Sequence, residues 1–179
     1  MRYLLIALSA LLYACTDSNS TTGFNEDAVN TAEDSLSGMI RVSGNAVAHL
    51  GTNDATAKST ERPQMDVLLT YDFSIGKNEV TCGDFNALMK PATGLKVKCI
   101  TNMYPATDVT YYDAVLFANE RSKSEGRDTA YTYIATQFDD GKHCTNLDGF
   151  AFHPEVDGYR LPTEAEWSLV AKAAWNAGG

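Results

Sequence analysis

Cysteine is the residue type in this sequence with the widest chemistry, and the chain has four, at positions 15, 82, 99 and 144. Thiols of exported proteins usually pair as disulfides. Cys82 and Cys99 close a loop of modest length, so we favour that pair, which is worth about 3 kcal/mol in the loop-entropy description. Cys144 is then free, or pairs with a cysteine beyond this sequence. A redox or copper-binding thiol needs a partner cysteine and a lowered pKa, and the sequence indicates neither.

Histidines and aspartates offer two further sets of candidate metal ligands: His143 with Cys144 and His153 for zinc, and Asp139, Asp140 and Asp148 for calcium. The first set fits no zinc spacing, and the second lacks the alternation of a calcium loop. Surface histidines and turn-forming aspartates are the simpler interpretation. The sequence has no Ser-His-Asp order, phosphate loop or dinucleotide fingerprint. We therefore assign no catalytic, cofactor-binding or metal-binding residue.

Three capping boxes of the form Thr-x-x-Asp or Thr-x-x-Glu predict where helices begin, at residues 81–84, 110–113 and 163–166. The second predicted helix is so apolar that it must be buried on more than one side, and Gly126 ends it. In the third helix, Trp167 is the first large residue expected to point into the core. Val170, Ala171 and Ala174 continue its apolar stripe.

Glu164 and Glu166 are the one pair of carboxylates that resembles an acid/base pair. Both fall in the first helical turn, where capping and the helix dipole already account for them. Arg160 lies just before this helix and is not explained by capping. An ion pair with a nearby carboxylate is the simplest role for it.

Strand signals surround these helices. Residues 39–42 and 46–50 are short apolar runs separated by a turn, and residues 65–81 begin with a β-prone run that alternates at Val67, Leu69, Tyr71 and Phe73. Strands and loops are also expected between the second and third helices. The pattern predicts an α+β fold with little regular secondary structure.

The N-terminus is typical of a secretory signal: Arg2 precedes an apolar run from Tyr3 to Leu12, which is too short to span a bilayer. Leu12-Tyr13-Ala14-Cys15 resembles a bacterial lipobox, in which Cys15 is lipidated. We predict a signal peptide over 1–14 and a lipid-anchored flexible linker over 15–37. The alternatives are a signal peptide cut elsewhere, a buried N-terminal strand, and an acidic arm in place of the linker.

The formal net charge of -9 argues against nucleic acid as a partner and against general attraction to anionic lipid. No cluster of Lys and Arg offsets it.

Three segments resemble the formylglycine-generating enzyme, or sulfatase-modifying factor, family. Residues 39–81 follow its opening pattern with Glu-Arg-Pro and a final Glu-Val-Thr, and "PATDVTYYDAVLFANERSK" resembles its second block. "RLPTEAEW" matches its signature at Arg160, Leu161, Pro162, Thr163, Glu164, Glu166 and Trp167, a role we take as structural. Related C-type-lectin-like bacterial surface domains share this signature. The resemblance covers 38–179 with gaps.

The resemblance implies a variant of the C-type lectin fold. It also implies an oxidase that converts a substrate cysteine to formylglycine with two cysteines and copper, supported by calcium. In the family, those cysteines and calcium ligands lie downstream of the signature. About half of the domain is thus expected to be absent, so no catalytic residue, copper site or calcium site is carried over.

The resulting hypothesis is an exported lipoprotein of the cell envelope, on the inner or outer membrane and facing the periplasm or exterior. It would be inactive alone and would contact an exported polypeptide. The alternative is a non-catalytic lectin-like module that binds glycan or protein, with Tyr111, Tyr131 and Tyr133 as a platform. We expect those tyrosines to be core residues instead. A third possibility is a truncated product that folds poorly.

Overall fold

A computed structural model describes residues 12–13 and 38–177, with side chains for 38–172. The predicted lipidation site Cys15, the predicted linker and most of the predicted signal peptide lie outside these residues. Within the described part there are three α-helices: α1 Cys82–Thr93, α2 Tyr111–Ser124 and α3 Glu164–Ala177. A short 3-10 helix covers Ser59–Glu61. None of the described helices is long and apolar enough to cross a bilayer.

The strands of the described residues are short: β1 Leu12–Tyr13, β2 Met39–Val42, β3 Ala46–Leu50, β4 Met65–Leu69, β5 Phe73–Gly76, β6 Tyr131–Thr132, β7 Ala135–Phe138, β8 Cys144–Asp148, β9 Ala151–Phe152 and β10 Tyr159–Arg160. The pairs β1–β10, β3–β4, β6–β9 and β7–β8 are antiparallel. The mixed α and β content agrees with the α+β class predicted from the sequence. The chain divides into two compact units: the first contains 75–161 with β1, and the second contains 38–74 and 162–177.

The second unit is built from a β-hairpin and the last helix. β3 pairs with β4 from Ala46 opposite Leu69 to Leu50 opposite Met65, and α3 packs on both strands. The sequence predicted one alternating run through Phe73, but the chain breaks between β4 and β5. The break coincides with Asp72, whose carboxylate accepts hydrogen bonds from the Gly44 amide (2.6 Å) and the Arg41 guanidinium (2.9 Å). These contacts hold Asp72 against a segment that is distant in sequence.

The first unit packs α1 against α2. Phe85 and Phe117 stack between the helices with ring centroids 5.2 Å apart. As predicted, α2 is buried on more than one side, since every residue from Asp113 to Asn119 is buried. α2 ends at Ser124, and Gly126 follows with a φ of 71°, in the left-handed region that glycine tolerates.

Short strand pairs complete the first unit. β6 pairs with β9, β7 pairs with β8, and β1 pairs with β10. Before β10, Gly158 is buried where an added Cβ would collide with the Asp128 carbonyl oxygen, so this position accepts no larger residue.

Candidate functional site

All three predicted helix starts are capped by their threonine, but the reciprocal bond from the threonine amide to the acid is seen in the second and third boxes. In each box the threonine hydroxyl accepts a hydrogen bond from the backbone N–H three residues later, at 3.1 Å, 3.0 Å and 3.2 Å along the chain. The acidic partner is exposed in the first box (Asp84) and buried in the other two (Asp113 and Glu166). A buried carboxylate requires hydrogen-bond partners to offset desolvation. The acids of the second and third boxes must therefore have hydrogen-bond partners in addition to their role at the helix start.

Asp113 connects the start of α2 to β8. Its Oδ1 accepts from the Cys144 amide (2.7 Å), and its Oδ2 accepts from the Thr110 amide (2.9 Å). Oδ2 also lies 2.7 Å from Nδ1 of His143. His143 thus contacts a structural carboxylate, which gives it a role other than the zinc ligand considered from the sequence.

Glu166 is the corresponding residue of the second unit and has no solvent-exposed surface. Its Oε2 accepts from the Thr163 amide (2.7 Å), and its Oε1 accepts from the Tyr71 hydroxyl (2.8 Å). Glu164 is exposed. The two carboxylates therefore lie in opposite environments, and the buried one is committed to hydrogen bonds that hold the helix start.

The prediction for Trp167 was wrong: 44% of this residue is exposed. The residues that α3 buries at this turn are Ala165 and Glu166, so the helix is rotated from the expected orientation by about one residue. Val170 and Ala171 are only half-buried, and the side chain of Ala174 lies outside the described residues. The predicted apolar stripe is thus largely on the accessible side of α3.

The signature residues of the first unit also support the backbone. Arg160 is buried, and its guanidinium donates to the Leu161 carbonyl oxygen (3.1 Å). The Leu161 amide donates to the Tyr131 hydroxyl (2.9 Å). Just before them, burial and a hydrogen bond to the Glu125 carboxylate raise the pKa of Tyr159 to about 12. Pro162, at the start of the second-unit part of the signature, is half-buried.

The structure pairs Cys82 with Cys99, the pair favoured from the sequence, with Cα atoms 5.8 Å apart. Asn86 fixes the bridge from the next turn of α1. Its amide nitrogen donates to the Val97 carbonyl (3.0 Å) and lies 3.1 Å from the Cys99 sulfur, while its oxygen accepts from the Val97 amide (2.8 Å). Cys144 is a free, buried thiol.

Copper and calcium, which the resemblance implies for full-length relatives, do not fit the residues that the structure describes. Cys82 and Cys99 are consumed by their disulfide, and the Cys144 thiol donates to the Asn146 carbonyl (3.3 Å). Over the described residues, no group of three or more His, Cys, Asp or Glu side chains is placed to hold a metal ion. We derive no metal-dependent step from this chain.

We predict that Cys144 resists alkylation in the folded protein. Burial, with the nearby Asp113 carboxylate adding to it, raises the pKa of this thiol above its ordinary value, so little thiolate is present at pH 8. Iodoacetamide at pH 8 should label Cys144 at least about tenfold more slowly than free cysteine, and at the ordinary rate in guanidinium chloride. Peptide mass spectrometry identifies the labelled site. Native labelling as fast as that of free cysteine would contradict the burial.

An accessible ring cluster lies in the first unit, where Tyr111, Phe150 and Phe152 surround Tyr131. Tyr131 is buried and stacks on both phenylalanines, with centroids 5.6 Å and 5.2 Å away. Tyr111 meets Phe150 edge-on at 6.5 Å. The three outer rings are exposed, and we call them the aromatic surface.

Of the three tyrosines considered from the sequence, Tyr131 is in the core as expected, Tyr133 is half-buried and Tyr111 is exposed. The expectation that all three are core residues was therefore wrong for Tyr111. Sequence reasoning missed Phe150 and Phe152. Their period-two spacing after the Asp-Gly turn was the available signal, because residues i and i+2 of an extended segment share a face.

Comparisons with known proteins identify the family and the relatives that this chain resembles. Residues 25–178 match the family described as "Sulfatase-modifying factor enzyme 1-like domain". "Chaperone protein LppX" of Paenibacillus barcinonensis is 32% identical over 174 residues, which are 94% of this chain and 53% of that protein. The chain therefore spans about half the length of this curated relative.

Among solved structures, "Treponema denticola variable protein 1" superposes with a TM-score of 0.52 at 25% identity. The match covers 75% of this chain and 52% of that chain.

Proposed function

Since this chain belongs to the sulfatase-modifying factor enzyme 1-like family, we propose that it is an exported lipoprotein that carries the N-terminal part of the family domain. In this proposal residues 1–14 are a signal peptide, Cys15 carries the lipid, 15–37 are a linker, and 38–179 are a partial domain with the C-type-lectin-like variant of the fold. The protein acts in the cell envelope by binding an exported polypeptide. It does not oxidise a cysteine by itself.

The roles of the signature residues support the non-catalytic part of this proposal. Glu166 is buried and bonded to Thr163 and Tyr71, and the Arg160 guanidinium bonds backbone. A general acid or base must reach the proton that it transfers, and a carboxylate with no exposed surface does not. These contacts support a structural role for the signature.

The exposed aromatic surface is the observation that carries the binding role. Aromatic side chains provide large contact areas at little cost in conformational entropy, and exposed apolar groups commonly mark interaction sites. The relative from Paenibacillus barcinonensis is named a chaperone protein, which agrees with binding of an unfolded polypeptide. The net charge of -9 favours basic polypeptides.

We predict that truncating the aromatic surface weakens binding of unfolded polypeptide. The probe is fluorescent, carboxamidomethylated ribonuclease A, which is unfolded and basic, and the measurement is its anisotropy. Changing Tyr111 and Phe152 together to serine should raise the Kd by about tenfold or more, as expected for the loss of two contact rings.

Phe138→Ser is the matched control, because Phe138 and Phe152 are 39% and 42% exposed. It should leave the Kd within about twofold, far below the effect of losing contact rings. Equal weakening by both variants would contradict a localised site. A panel of soluble glycans tests the alternative: stacked rings also suit sugar faces, and glycan binding without polypeptide binding would replace our proposal with the lectin-like one.

The anchor gives a separate prediction. Mass spectrometry of the mature protein should find Cys15 as a lipid-modified N-terminus. Cys15→Ser should abolish that modification and strongly weaken membrane retention, because buried acyl chains supply most of the free energy of anchoring. An unmodified N-terminus at any other residue would contradict lipidation.

A further inference from the structure

We propose that the loop of residues 99–105 in the first unit is a second membrane contact, which inserts into the headgroup region of an anionic phospholipid bilayer. Its apolar residues are highly exposed: Ile100, Met103 and Tyr104 are 87%, 79% and 54% exposed. Scattered exposed apolar residues are normal, but three of them within five positions form a local patch.

The loop is held in place on the helix beside it. The Cys82–Cys99 disulfide fixes its beginning. The first two N–H groups of α1 fix its end, because Cys82 donates to the Tyr104 carbonyl (2.7 Å) and Gly83 donates to the Asn102 carbonyl (2.9 Å). These donors would otherwise be unsatisfied at a helix start. The backbone that presents the apolar tip is thus ordered before any partner binds, which lowers the entropic cost of binding.

Glycine favours this close approach. A Cβ at Gly83 would lie 3.0 Å from both the Cβ and the carbonyl oxygen of Asn102. A side chain at this position would require the loop to shift by a few tenths of an ångström. The loop is therefore specified by the disulfide, by two backbone hydrogen bonds and by one glycine.

The charge around the loop is opposite to that of the whole chain. No acidic residue occurs from Phe85 to Thr107, and Lys90, Lys96 and Lys98 fall within that segment. Lys96 and Lys98 are exposed and line, with Cys99 and Asn102, a shallow cleft of about 530 Å³ beside the loop. The nearest preceding acid is Asp84, whose carboxylate accepts from the Thr81 hydroxyl (2.7 Å).

The global charge of -9 predicts repulsion from anionic lipid, but charges farther away than about 8 Å are largely screened at physiological ionic strength. Lys96 and Lys98 are the charged residues nearest the start of the loop in sequence, and Asp108 follows three residues after its end. An apolar tip flanked by lysines suits a bilayer interface, where tyrosine lies at the headgroup level and lysine meets anionic lipid. Protein interfaces are, in contrast, depleted in lysine.

The bilayer is within reach if the proposed anchor at Cys15 is present, and to that extent this inference rests on the proposed function. A flexible linker of about 22 residues spans ~26 Å. Tethering at that range raises the local concentration of the bilayer, so a weak insertion becomes significant. Membrane attachment generally needs two signals, and the loop supplies the second.

The test places a fluorescent reporter at the tip. Met103→Trp is made in the full chain, and emission is measured with vesicles of 70% phosphatidylcholine and 30% phosphatidylglycerol that contain brominated lipid. Spectra of the parent protein are subtracted to remove its own tryptophans. We expect quenching and a blue shift for Trp at position 103. Ile134→Trp is the control, because Ile134 is 89% exposed in the same unit and has no lysine within seven positions on either side. It should stay unquenched.

Changing Lys96 and Lys98 together to glutamine should weaken partitioning into these vesicles by about 25-fold, since each lysine near an anionic leaflet contributes about fivefold. Absence of quenching at position 103, or quenching unaffected by loss of both lysines, would overturn the proposal. Absence of quenching at position 103 would instead favour an acidic protein as the partner of the loop.

Failure of the anchor is distinguishable from failure of the loop. The N-terminal mass of each preparation is determined alongside the vesicle measurement. Quenching in protein that carries no lipid supports the loop and refutes the anchor. If the protein is lipidated but position 103 stays in water, the membrane contact of the loop is refuted and the proposal of lipidation at Cys15 stands.

Discussion

Replacing Asp113 with alanine should lower the free energy of unfolding by about 4 kcal/mol, the range for removing one partner of a buried hydrogen-bonded charge. Asp113 is fully buried and holds the Thr110 amide, the Cys144 amide and the His143 ring. Alanine leaves these groups without their acceptor, and buried unsatisfied donors are costly. A chain of this length should lose about 10 °C in Tm, which circular dichroism measures.

Asp84→Ala is the matched control, because Asp84 lies at the same position of α1, three residues after the capping threonine, but is exposed. Its loss should cost about 0.5 kcal/mol, within the usual range for an acidic residue in the first turn of a helix. The difference between the two variants isolates burial from capping. Equal destabilisation by both would mean that Asp113 acts only at its own helix start.

Replacing Glu166 with alanine should cost about 3 kcal/mol, the range for removing one partner of a buried hydrogen-bonded charge. The Thr163 amide and the Tyr71 hydroxyl both depend on Glu166. Urea unfolding followed by circular dichroism measures the change. Tyr71→Phe in the same background gives a double-mutant cycle, which should report a coupling between the two residues because they share one hydrogen bond.

Glu164→Ala provides the comparison in the same helical turn. Glu164 is exposed, so its loss should change stability by no more than about 0.5 kcal/mol. If Glu164→Ala were as destabilising as Glu166→Ala, the helix dipole rather than the buried hydrogen bonds would explain both residues.

Local chemistry made much of this fold predictable. A threonine followed three residues later by an acid marked each helix start, and Gly126 marked the end of α2, because these signals act over a few neighbouring residues. The Cys82–Cys99 pair followed from loop length alone. The break between β4 and β5 was missed, and it coincides with Asp72, whose carboxylate bonds backbone that is distant in sequence.

Burial was the quantity that the sequence did not determine. The same capping pattern gave one exposed acid and two buried ones, and only packing distinguishes Asp84 from Asp113 and Glu166. Trp167 was expected inside because large apolar residues usually are, yet α3 places its neighbour Glu166 there. The aromatic surface was missed for the same reason: a period-two pair indicates a shared face without indicating whether that face is covered.

We propose that the described residues build a binding scaffold and do not themselves oxidise cysteine. The most direct test incubates the folded chain, copper, oxygen and a thiol reductant with a peptide carrying a sulfatase-type cysteine, and measures the peptide mass. We predict that the cysteine remains unchanged while circular dichroism shows a folded chain. Conversion of the cysteine to formylglycine by this chain alone would contradict the account.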